Sequence, residues 1–184
     1  MFHLITGGSG SGKSEYAENR ILQYHNDQKP LYYIATMEPF GSETKNKIER
    51  HRRMRAGKGF QTLECYTKLS DFADKFDFDH GSVLLECMSN LTANEVYHNL
   101  ANYPSEDELA MQVFQGIKVL LKKCENIVVV TNEVCSECTE DTPEMQCYKR
   151  VLSAINCKMA LSADRVTEVV YGIPVNIKED ILCR

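Results

Sequence analysis

Apolar residues along this chain fall in short, nearly continuous runs, at 2–6, 31–35, 83–85, 127–131 and 166–171. Runs of that length without strict alternation predict strands covered on both faces, as in a parallel sheet. Between them lie segments of helical length, roughly 13–25, 43–56, 89–101, 106–124 and 143–162. The alternation predicts an α/β fold, a mostly parallel sheet flanked by helices. Gly172 followed by the apolar run 173–177 predicts a closing C-terminal β-hairpin, and Pro174 puts its second strand on an edge. The stretch 102–105 separates two helices, with Ser105 and Glu108 spaced as a capping box. The acidic stretch 136–144 reads as an exposed loop ahead of the last long helix. Neither break resembles a linker, so residues 1–184 are expected to form one domain.

Composition narrows the class. Hydrophobic residues make up 43% and charged residues 26%, as in an ordinary globular chain rather than a disordered one. A net charge of −5 argues against general nucleic-acid binding. No apolar stretch is long enough to span a membrane. The first residues lack a basic region followed by an apolar one, so a cytoplasmic location is expected. Eight cysteines, at 65, 87, 124, 135, 138, 147, 157 and 183, then read as free thiols. Cys135-x-x-Cys138 has no second pair and no histidines beside it, which makes a metal or redox site there a weak reading.

Candidate chemistry starts at residue 7. Gly7-Gly8-Ser9-Gly10-Ser11-Gly12-Lys13-Ser14 matches G-x-x-x-x-G-K-[ST], between a predicted strand and a predicted helix. Glycines let backbone N–H groups curl around phosphate oxygens, and the helix N-terminus adds its positive dipole end. Lys13 would neutralise the β- and γ-phosphates, and the Ser14 hydroxyl is placed to bind Mg²⁺. The loop implies a nucleoside triphosphate without naming a reaction. A second acid is needed for the metal or its waters, and Glu86, at the end of the run 83–85, supplies one. Asp164 is a poorer candidate because it follows a helix.

Residues 45–58 hold seven of the 21 lysines and arginines, a local positive field in an acidic protein. At helical spacing Ile48, His51, Arg52 and Arg55 share a side, placing an imidazole among guanidiniums suited to phosphate. One reading is a solvated helix face. The other is a nucleophile, because attack on phosphorus needs a neutral imidazole with cations beside it.

Several separated motifs resemble one family, the bifunctional adenosylcobinamide kinase / adenosylcobinamide-phosphate guanylyltransferases of cobalamin biosynthesis. They are the loop 5–14, Tyr33-Ile34-Ala35-Thr36, Glu43 with the segment 47–52, Thr62-Leu63-Glu64 and Leu84-Leu85-Glu86-Cys87 with 91–94. Beyond these come 130–134, 163–166 and 172–178, so the likeness covers nearly the whole chain. The resemblance implies a RecA-like P-loop NTPase fold and a homotrimer with active sites near subunit interfaces. It implies phosphorylation of adenosylcobinamide by ATP or GTP, then GMP transfer from GTP through a GMP-histidine intermediate, with His51 in that role and Mg²⁺ as cofactor. Nucleotide contacts would fall on Gly7–Ser14, on Ala35, Thr36 and Met37, on Arg52, Arg53, Met54 and Arg55, and on Glu64 and Glu86. The corrinoid would be the second substrate.

The chain departs from the family pattern at Gly10, where an arginine is usual. It departs after Val134, where Cys135–Cys138 replaces a glycine-rich stretch, and at Lys149, Arg150 and Ser153. Three other readings stay open at this level. A P-loop kinase of small molecules without nucleotidyl transfer would not need His51. A degenerate member could keep one activity. A nucleotide-binding regulator would usually carry Asn-Lys-x-Asp, which 131–134 lacks.

Overall fold

The computed structural model describes residues 1–102, 105–134 and 141–179, apart from the side chains of 42, 43 and 100. In chain order the elements are β1 (Phe2–Thr6), α1 (Lys13–Tyr24), β2 (Leu31–Ala35), α2 (Gly41–Arg55), β3 (Gln61–Glu64) and α3 (Leu69–Lys75). There follow β4 (Ser82–Glu86), α4 (Met88–Asn99), α5 (Glu106–Lys123), β5 (Asn126–Val130), α6 (Pro143–Ser162), β6 (Arg165–Val170) and β7 (Ile173–Glu179). They build one seven-stranded sheet in the order β3-β2-β4-β5-β1-β6-β7. All neighbours are parallel except β6 and β7, which form the antiparallel closing hairpin.

The continuous apolar runs have the expected cause. On β4, Val83 and Leu85 join one core and Leu84 the other. The first core lies under α3, α4, α5 and α6, and the second under α1, which contributes Ala17 and Ile21. Both faces are covered, so no alternation is left to see. Pro174 sits on the outer strand β7, where a missing N–H leaves no ladder bond unmade.

Two elements have no counterpart in the sequence reading. β3 is an edge strand with mostly exposed residues and one apolar side chain, Leu63, so it carries no hydrophobic run. α3 is only seven residues long, too short for helical periodicity to show. It is fixed from outside itself: the Lys68 N–H donates to Glu95 Oε1 at 2.5 Å, and Leu69 packs where a Cβ on Gly116 of α5 would stand 2.7 Å from it.

Two helices, α5 and α6, carry side-chain caps at their N-termini. The Ser105 hydroxyl accepts from the Glu108 N–H at 3.2 Å and Thr142 from Met145 at 3.3 Å. The Arg150 guanidinium grips Glu106 in a two-pronged pair, both contacts 2.8 Å, which joins α6 to α5 and holds the Glu106 carboxyl below its usual range. Cys65, Cys87, Cys124 and Cys147 are buried free thiols and Cys157 an exposed one. Cys135, Cys138 and Cys183 lie outside the described residues.

Candidate functional site

Parallel strands all deliver their C-terminal ends to one rim, and the loop 7–12 leaves β1 there. Gly7, Gly10 and Gly12 take φ of +148°, +73° and +91°, conformations that L side chains rarely adopt. A Cβ on Gly7 would stand 2.5 Å from the Val169 carbonyl oxygen of β6. A Cβ on Gly10 would meet nothing within 4 Å, so the space there could take an arginine but the backbone disfavours one. Lys13 is buried at the head of α1, its Nζ donating to the Gly8 carbonyl at 2.8 Å. Burial pulls its ammonium below the ordinary value, against the pull of Cys87 and Glu86.

Glu86 ends β4 two strands from β1 and is 8% exposed. Its Oε1 accepts a hydrogen bond from the Ser14 hydroxyl, and its Oε2 accepts from Tyr33 Oη at 3.2 Å. The Tyr33 ring, on β2, carries the Arg55 guanidinium 3.9 Å above its centroid. Burial, and then Glu86, push the Tyr33 phenol far above its usual value, so it acts as a fixed donor. The Thr36 hydroxyl accepts from the Cys87 N–H and donates to the Cys87 carbonyl, both at 2.7 Å, fastening the tip of β2 to the turn after Glu86. Asn94 donates to the carbonyls of Thr36 and Tyr66 at 3.0 and 2.9 Å, extending that fastening to the segment after β3.

Above this floor lies α2. Its cationic side faces inward, and His51 Nδ1 stands 3.7 Å from Glu86 Oε1. That nitrogen is buried and makes no hydrogen bond. Arg55 donates from Nε to Thr62 Oγ1 at 3.3 Å, and Arg52 lies 3.5 Å from Glu64. Tyr66 donates to Glu64 at 2.8 Å, and burial together with that acceptor raises its phenol to about 12. Beyond the helix, Lys58 meets the fully buried Glu18 of α1 at 2.6 Å.

These groups enclose a cavity of about 760 Å³, within the range of small-molecule sites. Of the residues singled out in the sequence, Ser9, Gly10, Ser11, Gly12, Lys13, Ser14, Ala35, Met37, His51, Arg52, Met54, Arg55, Glu64 and Glu86 line it. Gly7, Gly8 and Thr36 do not line it: Gly7 packs against Val169, the Gly8 carbonyl accepts from Lys13, and the Thr36 hydroxyl is tied to Cys87. Arg53 turns outward to Glu49 at 3.3 Å. Tyr33, Thr62, Tyr66, Asn90 and Asn132 also line the cavity; the sequence reading gave none of them a site role, although Tyr33, Thr62 and Asn132 fall in the motifs that carry the resemblance. Tyr33 was hidden inside an apolar strand run. Tyr66 and Asn132 stand two residues beyond strand ends on this rim, which was an available signal, whereas Thr62 lies within β3 and Asn90 in the first turn of α4.

Among the described residues no three His, Cys, Asp or Glu side chains cluster as a metal cage. A hydroxyl and a carboxylate already in contact are a hard oxygen pair, which suits Mg²⁺ completed by phosphate oxygens and water.

Comparison with known proteins places this cavity in context. A family model described as cobinamide kinase / cobinamide phosphate guanyltransferase (CobU) matches residues 3–177. The chain is 30% identical to a bifunctional adenosylcobalamin biosynthesis protein CobU of Salmonella typhimurium, over 97% of this chain and 100% of that protein. A relative of the same name in Escherichia coli is 29% identical over the same shares. Among solved structures, the flagellar accessory protein FlaH of Methanocaldococcus jannaschii superposes with a TM-score of 0.53 at 14% identity, over 98% of this chain and 79% of that one. That likeness supports the fold alone, which is RecA-like with a phosphate loop after its first strand.

Proposed function

The chain belongs to the cobinamide kinase / cobinamide phosphate guanyltransferase family, and we propose that this cavity carries out both reactions in turn. In the first, the aminopropanol hydroxyl of adenosylcobinamide attacks the γ-phosphorus of ATP or GTP and the nucleoside diphosphate leaves. In the second, an imidazole nitrogen of His51 attacks the α-phosphorus of GTP. The new P–N bond replaces the P–O bond to pyrophosphate. A phosphate oxygen of adenosylcobinamide phosphate then displaces the imidazole, giving adenosylcobinamide-GDP and free His51.

The contact of His51 Nδ1 with Glu86, which also holds Ser14, carries this reading. It sets a nucleophile and a phosphate grip on one carboxylate. With Nδ1 turned to Glu86, Nε2 is the nitrogen left for phosphorus. The 3.7 Å separation closes to a hydrogen bond as the ring gains charge in the attack. Lys13 and the loop N–H groups receive the phosphates, and Arg52 and Arg55 balance the charge that builds at phosphorus. Ser14 and Glu86 would hold Mg²⁺, which when bound neutralises phosphate charge. Ala35, Met37, Met54 and Glu64 line the cavity beside His51 and would contact the nucleotide.

No helix among the described residues is long and apolar enough to cross a membrane. The protein is read as a cytoplasmic, one-domain enzyme that assembles as a homotrimer. Ile173, Val175 and Ile177, exposed along the outer strand β7, support assembly, since such an edge calls for cover. Incubating the protein with adenosylcobinamide, GTP and Mg²⁺ should yield adenosylcobinamide phosphate first and adenosylcobinamide-GDP second. Accumulation of the phosphate alone would reduce the protein to a kinase.

A further inference from the structure

Sheet order dictates how a donor nucleotide lies across the phosphate loop. Phosphoryl transfer puts the metal-binding groups at the β/γ end of the triphosphate. That corner is Ser14 with Glu86, and Glu86 ends β4, to one side of β1. A triphosphate with its γ-phosphate there carries its nucleoside toward the opposite side of β1, where β6 and β7 stand.

On that side the hairpin tip is fastened to the loop. The Gly172 N–H donates to the Ser11 carbonyl at 2.8 Å. A Cβ on Gly12 would stand 3.4 Å from Gly172 Cα. The tip consists of Tyr171 and Gly172, with φ of +51° and +80°. A two-residue turn with both φ positive favours Asn, Asp or Gly at its first position. A tyrosine there holds a disfavoured backbone state, and its side chain, 95% exposed, contributes nothing to the core. A bulky ring kept at local cost, outside the core and beside the nucleoside end of the loop, calls for a function.

We propose that Tyr171 is a stacking platform for the nucleobase of the kinase donor, a purine nucleoside triphosphate. Every base has a π-face, so a platform of this kind accepts adenine and guanine alike. The inference rests on the loop being the seat of the kinase donor.

Titration calorimetry with Mg²⁺, using ATP and inorganic tripolyphosphate as ligands, tests both layers. Tyr171→Ala should weaken ATP about tenfold and leave tripolyphosphate unchanged. Tyr171→Phe should bind ATP like the wild type. The chain has no tryptophan, so Tyr171→Trp supplies a clean fluorophore, which ATP should quench and tripolyphosphate should not. GTP, titrated in a His51→Ala background, should show the same loss with Tyr171→Ala. Unchanged ATP affinity in Tyr171→Ala would overturn the platform while tripolyphosphate binding keeps the loop reading intact. An equal loss of both ligands would also overturn it, by assigning the effect to the turn rather than the ring. A wild-type protein that binds neither ligand would refute the loop reading beneath it.

Discussion

The phosphate loop and helix α2 face each other across one cavity and are held in opposite ways. The loop is sealed by backbone: Gly7 against Val169, Ser11 against Gly172, and Lys13 folded onto Gly8. Helix α2 buries no apolar residue among those described, and Arg55 is its one buried side chain. It is tied by charge and aromatic contact, through Arg55 on Tyr33 and Arg52 with Glu64, and the turn beyond it by Lys58 with Glu18. Positive-φ glycines, Gly41 and Gly57, stand at its start and just beyond its end. Elements with few buried apolar contacts lie at the low-stability end of a fold. The contrast teaches a division of labour, a rigid grip for phosphates and a polar-mounted arm for the nucleophile.

Replacing Lys13 by Ala should break the grip and everything that depends on it. Both half-reactions should fall by about 10²–10³, the scale of losing a preorganised charge partner. Kinase turnover near wild type in that variant would contradict the assignment. Gly7→Ala should act through the fold. Its new Cβ meets the Val169 carbonyl oxygen and its φ is unfavourable, so unfolding in urea should show a loss of several kcal/mol, about 3. A stability within about 0.5 kcal/mol of wild type would show that the loop is not sealed.

The grip also has an acid weakness. His3, on β1 beneath the loop, meets Thr167 at 2.8 Å and Tyr24 at 3.1 Å. Burial first, and then Arg20 and Arg165, lower its pKa to about 4. The folded protein prefers neutral His3. Its contribution is complete above the unfolded value near 6.5 and is lost as pH falls from there toward 4. Over that window the wild type should lose about 3 kcal/mol more than His3→Asn does, measured by denaturant titration at each pH. Parallel pH profiles would remove His3 from the account. The smallest effect belongs to the outward side of α2. Arg53→Ala breaks only an exposed i,i+4 pair, so both activities and stability should stay within about twofold and 0.5 kcal/mol. A tenfold loss would mean that the outward side works as well.

Much of this was legible in the chain, and for a physical reason. Strands buried on both faces are almost wholly apolar, so β1, β2, β4 and β5 stand out, and β6, next to the edge strand, shows more faintly because Arg165 and Glu168 interrupt it. A glycine loop between strand and helix has few other uses. The helical spacing that grouped Ile48, His51, Arg52 and Arg55 matches the cavity side of α2. What stayed hidden depends on distant partners. β3 is defined by its pairing with β2, and α3 by Glu95 and Gly116. Tyr33 is a core tyrosine by pattern, and only the fold sets its hydroxyl on Glu86 and its ring under Arg55. The helical spacing on α2 left Arg53 off the cavity side; only the resemblance, carried over as the unbroken block Arg52–Arg55, counted it among the nucleotide contacts, and it pairs with Glu49 instead.

The separability of grip and arm can be measured directly with GTP labelled at the α-phosphate. Wild-type protein with Mg²⁺ should acquire an acid-labile, base-stable label and release pyrophosphate. His51→Ala should acquire none while still phosphorylating adenosylcobinamide at a rate within a few-fold of wild type. Undiminished labelling in His51→Ala, or a wild type that binds GTP and stays unlabelled, would contradict a nucleophilic His51.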